Sequence, residues 1–210
     1  VVNLSLGFPP GYYPSRALDQ AVSRALRAGM VLVAAAGNDA GDEVRFPAAF
    51  AGVIAVGAST LAEHGDPLEP TVYTDAGAQL DLLAPGGDLT RAVDHDGVPD
   101  GILGVTFDPA SPADFGPWLF AGTSQATAHA SAAAAYLLAA GVAPSDVGER
   151  LRDGARRLGE HGFDTATGAG ALDVKAALSV DAHEPAGLSV QLTGALVRAG
   201  GARVAEAHTS

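Results

Sequence analysis

Three observations predict an α/β fold with a mostly parallel sheet. Short apolar runs recur along the chain, an amphipathic helical segment lies between the first two, and the links are short. Strand–helix–strand order with such links is the pattern of parallel strands joined by crossover helices. Val1 to Leu6 is the first strand, and Gly7 to Pro14 is a Gly/Pro/Tyr loop. In the next segment Leu18, Val22, Ala25 and Leu26 share one helical face, Ser15 can cap its start and Gly29 can end it. Met30 to Ala36, Val53 to Ala58 and Leu80 to Leu83 are further buried strands, the last stopped by Ala84-Pro85-Gly86-Gly87. Gly86 to Pro117 reads mostly as a surface excursion with a short strand near Leu103 to Phe107. Ser124 to Ala140 holds no helix breaker, and its small side chains suit a closely packed central helix ended by Gly141. Ser145 and Asp173 start two shorter helices. After Val180 the pattern changes. Leu188, Val190 and Leu192 alternate with polar residues, and Gly200-Gly201 separates two β-like runs. Residues 1–180 are therefore expected to form one unit, with 181–210 a hairpin-like tail or the start of an appended module.

The composition narrows the function. In 210 residues, 12 basic and 24 acidic side chains leave a formal charge of −12, which argues against a nucleic-acid backbone as partner. Hydrophobic residues make up 48% and charged ones 17%, enough apolar material for a packed core. No run of 18 apolar residues exists to span a membrane. With no cysteine, disulfides, thiolate metal sites and thiol nucleophiles are excluded.

Candidate chemistry lies in three small motifs. They are Ser5-Leu6-Gly7, then Ala34-Ala35-Ala36-Gly37-Asn38, then Gly122-Thr123-Ser124. A serine in the first turn of a helix meets unpaired N–H groups and the positive end of the dipole, which suits a nucleophile whose intermediate is an oxyanion. An asparagine just past a neighbouring strand can supply a second donor. A strand end followed by a loop, a turn asparagine and a helix-cap serine account for each motif taken alone.

In order, the strings VVNLSLG, VLVAAAGNDAG, FPAAFAGVIAVGAS, LDLLAPGG and AGTSQATAHAS resemble the subtilisin family of serine proteases. Weaker similarity continues through TGAGALDVKAAL, so the resemblance covers about Val1 to Val180. It implies a three-layer domain with helices on both faces of the sheet. It also implies Ser124 as nucleophile and Asn38 as oxyanion donor. Ser5, Leu6 and Gly7 would pair with the substrate backbone as an added strand. Ala35, Ala36 and Gly37 would form one wall of the primary specificity pocket; being small and uncharged, they point to an apolar residue before the scissile bond. The substrate would be a peptide or protein, hydrolysis would need no cofactor, and secretion is expected on the same ground.

The family's catalytic Asp and His, each in its own motif before the serine, do not occur in this sequence. They are expected in a preceding half of the same domain, as the abrupt apolar start at Val1 suggests, and this chain is expected to be inactive alone. Two departures accompany this. Gln125 stands where the family usually has Met, and Ala128 where it has Pro. His129, five positions past Ser124, lies about 140° round the helix and faces elsewhere. The competing readings are a non-catalytic, peptide-binding scaffold of the same fold, and an α/β-hydrolase. The latter would need Asp164 or Asp173 with His183 or His208.

Asp94, Asp96 and Asp100 surround Gly97 in an acidic turn with the oxygen-rich chemistry of a structural calcium site, although the string lacks the closing Glu of an EF-hand. A solvated turn is the alternative. The family also often has an aromatic–Pro bond in an unusual turn where Phe46-Pro47 stands.

Overall fold

A computed structural model describes residues 1–62, 68–93, 95–108, 110–158, 163–179 and 203–204. Strands β1 (Val2–Leu4), β2 (Leu32–Ala35), β3 (Ile54–Leu61) and β5 (Leu82–Pro85) form the parallel sheet in the order β1-β2-β3-β5. A short strand β4 (Leu68–Pro70), which the sequence pattern did not suggest, pairs antiparallel with the end of β3.

Helix α1 (Arg16–Arg27) joins β1 to β2. Its start is capped as expected, with Ser15 Oγ accepting from the Leu18 N–H at 3.3 Å. Its end closes when the Gly29 and Met30 N–H groups reach back to Leu26 and Ala25. Helix α2 (Thr123–Ala139), α3 (Val147–Asp153) and α4 (Val174–Ser179) complete the set.

The strands alternate their side chains between two cores, and this makes three layers. Leu32, Ala34, Ala55 and Leu83 face one core, packed by Val22, Leu18 and Leu26 of α1. Val33, Ile54, Val56 and Leu82 face the other, packed by Ala126, Ala130, Ala133, Ala134 and Leu137 of α2 and by residues of α3 and α4. The alanines of α2 leave little side-chain bulk between helix and sheet, so α2 sits directly over β1, β2, β3 and β5. That placement brings its N-terminus to the C-terminal ends of the parallel strands, where α/β sheets bind their ligands.

The excursion after Gly86 is more ordered than its composition suggested. Strands β6 (Ile102–Asp108) and β7 (Ser111–Phe120) form an antiparallel ribbon, with Leu103 opposite Leu119 and Val105 opposite Pro117. Pro112, Gly116 and Pro117 disfavour a strand by propensity, but among the described residues β7 is paired on its second side only at Trp118 and Leu119. Its prolines therefore lie where a second ladder is not needed. That second partner is the backbone of β8 (Arg203–Val204), which runs parallel to β7. The rest of the expected tail hairpin lies outside the described residues.

Candidate active site

The end of β1, the end of β2 and the start of α2 meet at one edge of the sheet. Ser5 is tied to the helix in both directions. Its Oγ donates to the Ser124 carbonyl at 2.8 Å, and Ser124 Oγ donates to the Ser5 carbonyl at 3.3 Å. Asn3 buttresses this contact by donating to Ser5 Oγ and accepting from Ser131 Oγ, both at 2.9 Å.

Asn38 reaches the same point from β2. Its Oδ1 accepts from the Thr123 N–H at 2.8 Å and from Thr123 Oγ1 at 2.9 Å. Thr123 is fully buried, so this fork fixes the carboxamide plane. With Oδ1 engaged twice, Nδ2 is the end left over, and among the described residues it has no acceptor. Along α2 the Gln125 and Ala126 N–H groups turn back to the Gly122 carbonyl, while the Ser124 N–H has no partner among the described residues. The first turn of α2 carries no acidic residue to offset its partial positive charge. Two free donors, a helix N-terminus and a hydroxyl thus converge.

Gly122 makes this approach feasible. Its φ is 153°, and a Cβ there would lie 3.0 Å from Gln125 Oε1 and 3.7 Å from Asn38 Nδ2. The turn is anchored from the sheet, since the Gly122 N–H donates to the Gly86 carbonyl at 3.0 Å and Tyr73 Oη donates to the Gly87 carbonyl at 2.7 Å.

Burial pushes the Tyr73 phenol from 10.0 up to about 12. The folded state therefore holds this proton more tightly than the unfolded chain. Its contribution is whole below pH 10 and is lost as pH rises from 10 through about 12. Urea midpoints of the parent and Tyr73→Phe should therefore converge across that window; a constant gap would show that Tyr73 does not titrate this way.

The two expected substrate walls run side by side. Residues 45 and 46 clasp them, because the Arg45 N–H donates to the Ala36 carbonyl and the Phe8 N–H to the Phe46 carbonyl, each at 2.8 Å. The Phe46–Pro47 bond that follows is cis. Ala35, Ala36 and Gly37 are all buried, so this wall offers mainly its backbone edge.

Arg45 and Asp75 escaped the sequence reading. Arg45 Nε donates to Asp75 Oδ2 at 2.8 Å, with Asp75 fully buried and Arg45 nearly so. Thr123 was legible only as part of a string, although it holds the Asn38 amide.

The remaining candidates fall elsewhere. His129 is exposed on α2 with Nδ1 2.9 Å from the Gln125 carbonyl oxygen. Asp164 caps its own turn through the Ala166 and Thr167 N–H groups, and Asp173 accepts from the Ala176 N–H at 2.9 Å in the first turn of α4. His183 and His208 lie outside the described residues. In the acidic turn, Asp94 is likewise outside them. Asp96 accepts from the Val98 N–H at 2.7 Å and Asp100 from the Val93 N–H at 2.8 Å. These carboxylates close their own turn, and among the described residues no group of three or more His, Asp or Glu side chains is placed to hold a metal.

Comparison with known proteins identifies the family of the chain. The family model described as "Subtilase family" matches residues 1–170. A subtilisin of Bacillus pumilus is 32% identical over 183 residues, covering 84% of this chain and 56% of the relative. The minor extracellular protease Epr of Bacillus subtilis (strain 168) is 31% identical over 196 residues, covering 91% and 26%. A solved protease of Pseudoalteromonas arctica PAMC 21717 superposes with a TM-score of 0.67 at 26% identity, over 80% of this chain and 47% of that one. The chain thus spans little more than half the length of the relatives it matches, or less. The family match over residues 1–170 and these identities show that the chain belongs to the subtilase family of serine proteases.

Proposed function

We propose that this chain contributes the nucleophile, the oxyanion site and part of the substrate cleft of a subtilisin-type serine endopeptidase. The observation that supports this most is the carboxamide of Asn38. Its oxygen is held by Thr123, and its NH2 end is left without a partner beside the free Ser124 N–H. Donors aimed in advance at a developing negative charge are among the largest sources of catalysis in acyl transfer.

In this reading Ser124 Oγ bonds to the carbonyl carbon of the scissile peptide while a histidine takes its proton. The carbonyl oxygen becomes the oxyanion and accepts from Asn38 Nδ2 and the Ser124 N–H. Collapse breaks the C–N bond, and the amine leaves with the proton from the histidine. Water, activated by the same base, then releases the acyl group from Ser124. The histidine and its aspartate come from residues outside this sequence, so the 210 residues alone have no hydrolytic activity. The substrate strand adds beside Ser5, Leu6 and Gly7, with Ala35, Ala36 and Gly37 opposite. Residues 1–180 carry this peptidase portion, and 181–210 form an appended segment. The reaction needs no cofactor. Secretion is proposed from the family's nature; a relative, Epr, is named as extracellular.

Peptidyl phosphonate probes on the complete natural protein test the assignment. A probe with an apolar residue at the reacting position should attach to Ser124 and be located there by peptide mass mapping. No attachment at Ser124 would remove the catalytic reading in favour of a binding scaffold. Faster attachment of a basic probe would overturn the apolar pocket.

A further inference from the structure

Arg45 and Asp75 lie 30 positions apart and join three segments of the cleft. Asp75 Oδ1 accepts from the Asp39 N–H at 2.9 Å and the Gly41 N–H at 2.7 Å, the two N–H groups that follow Asn38 at intervals of one and three. Asp75 Oδ2 accepts from Arg45 Nε at 2.8 Å, and Arg45 Nη2 lies 3.3 Å from Asp39 Oδ2. The Asp75 N–H in turn donates to the Gly37 carbonyl at 3.0 Å. Both residues flanking Asn38 are therefore bonded to Asp75.

The arginine stem does a second job. A Cβ on Gly7 would lie 3.3 Å from Arg45 Cβ, and one on Gly37 would lie 2.6 Å from Arg45 Cγ. Its methylenes thus fill the space between the two substrate walls at depth. An ion pair taken out of water costs desolvation and is weak evidence of a gain in stability, so its position calls for another account. What it does here is fix the backbone on either side of a carboxamide that must sit within fractions of an ångström of an oxyanion.

We infer that Arg45 and Asp75 are positioning residues for the oxyanion donor, acting through the Gly37–Gly41 backbone to aim Asn38. The inference rests on the protease reading above. A carboxamide displaced by about 1 Å would cost roughly ten- to a hundred-fold in rate. The effect should appear in kcat, because the oxyanion exists only beyond the ground state.

The test is a double-mutant cycle on the complete natural protein, with peptide amide hydrolysis as the readout. Asp75→Asn should lower kcat roughly ten- to a hundred-fold with little change in KM. Asn38→Ala alone should lower it roughly a hundred- to a thousand-fold, the range measured on subtilisin itself. In the Asn38→Ala background, Asp75→Asn should cost almost nothing further, because the group it aims is gone. An equal loss in both backgrounds would mean a general structural role and overturn the inference, as would unchanged kcat in Asp75→Asn alone. Should Asp75→Asn not fold, Arg45→Lys serves in the same cycle with the same outcomes, since it keeps the charge and loses the Nε contact. An Asn38→Ala enzyme of undiminished rate, or a parent without hydrolysis, would instead remove the protease reading itself and this inference with it.

Discussion

Ser124→Ala in the complete natural protein should lower kcat by about a million-fold, the size of the loss when the nucleophile of subtilisin itself is removed. Here the hydroxyl sits at the head of α2 with its carbonyl held by Ser5 Oγ at 2.8 Å. Removing one oxygen atom leaves that backbone contact, the Asn38–Thr123 fork and the free Ser124 N–H in place. Substrate affinity should therefore change little, and the remaining activity over water should be the share owed to the oxyanion site and binding. This pattern separates Ser124 from every other residue of the cleft. Asn38→Ala removes only a donor, so it should fall far short of the serine variant, and in the Ser124→Ala background it should lower the residual rate further by removing part of the oxyanion share. Steady-state hydrolysis of a peptide amide, with folding checked by far-UV circular dichroism, reads all three. A Ser124→Ala enzyme within tenfold of the parent would show that the nucleophile lies elsewhere.

The parts of this site that were legible in the sequence are those coded by short contiguous strings. Ala34 to Asn38 couples a buried strand to a Gly and an Asn, and Gly122 to Ser124 opens a breaker-free alanine segment. Both patterns follow from local geometry, the first from a strand that must stop and turn, the second from a helix that must start. The parallel strands were visible for a related reason: a sheet covered on both faces needs continuous apolar runs. Asp75 and Arg45 follow no such rule. Each sits in an ordinary polar string, and nothing local distinguishes Asp75 among 24 acidic residues. Its burial arises only when β2, the loop after it and the segment before β5 are brought together. The β6–β7 ribbon was obscured in the opposite way, because Pro112, Gly116 and Pro117 speak against a strand while cross-strand pairing with Ile102 to Phe107 makes one. Local propensity yields there to long-range contacts.

Gly37→Ala should be among the most destabilising single-methyl additions in the described structure. Gly37 has φ of 122°, a conformation open to glycine and strained for any side chain. A Cβ there would lie 2.1 Å from Asp75 Oδ2 and 2.6 Å from Arg45 Cγ, both well inside contact distance. The methyl cannot be accommodated by one flexible tip, because Asp75 is held at both oxygens and Arg45 is packed on two walls. Relief requires breaking the buried pair or moving the Asn38 loop. Strain of roughly 1–3 kcal/mol at such a backbone position adds to the larger cost of separating buried charges. The sum should exceed about 3 kcal/mol, which for a chain of this size lowers the thermal midpoint by at least roughly 6 °C. Gly11→Ala supplies the control. Gly11 also has positive φ, at 72°, but a Cβ there would meet nothing within 4 Å, so its cost should stay near the backbone strain of about 1–2 kcal/mol. Equilibrium urea unfolding of the two variants beside the parent measures the difference. Equal losses would mean that the backbone conformation alone matters at Gly37. A clear excess at Gly37 would assign the remainder to the Arg45–Asp75 pair pressed against it, the same contact that is proposed to hold the oxyanion donor in place.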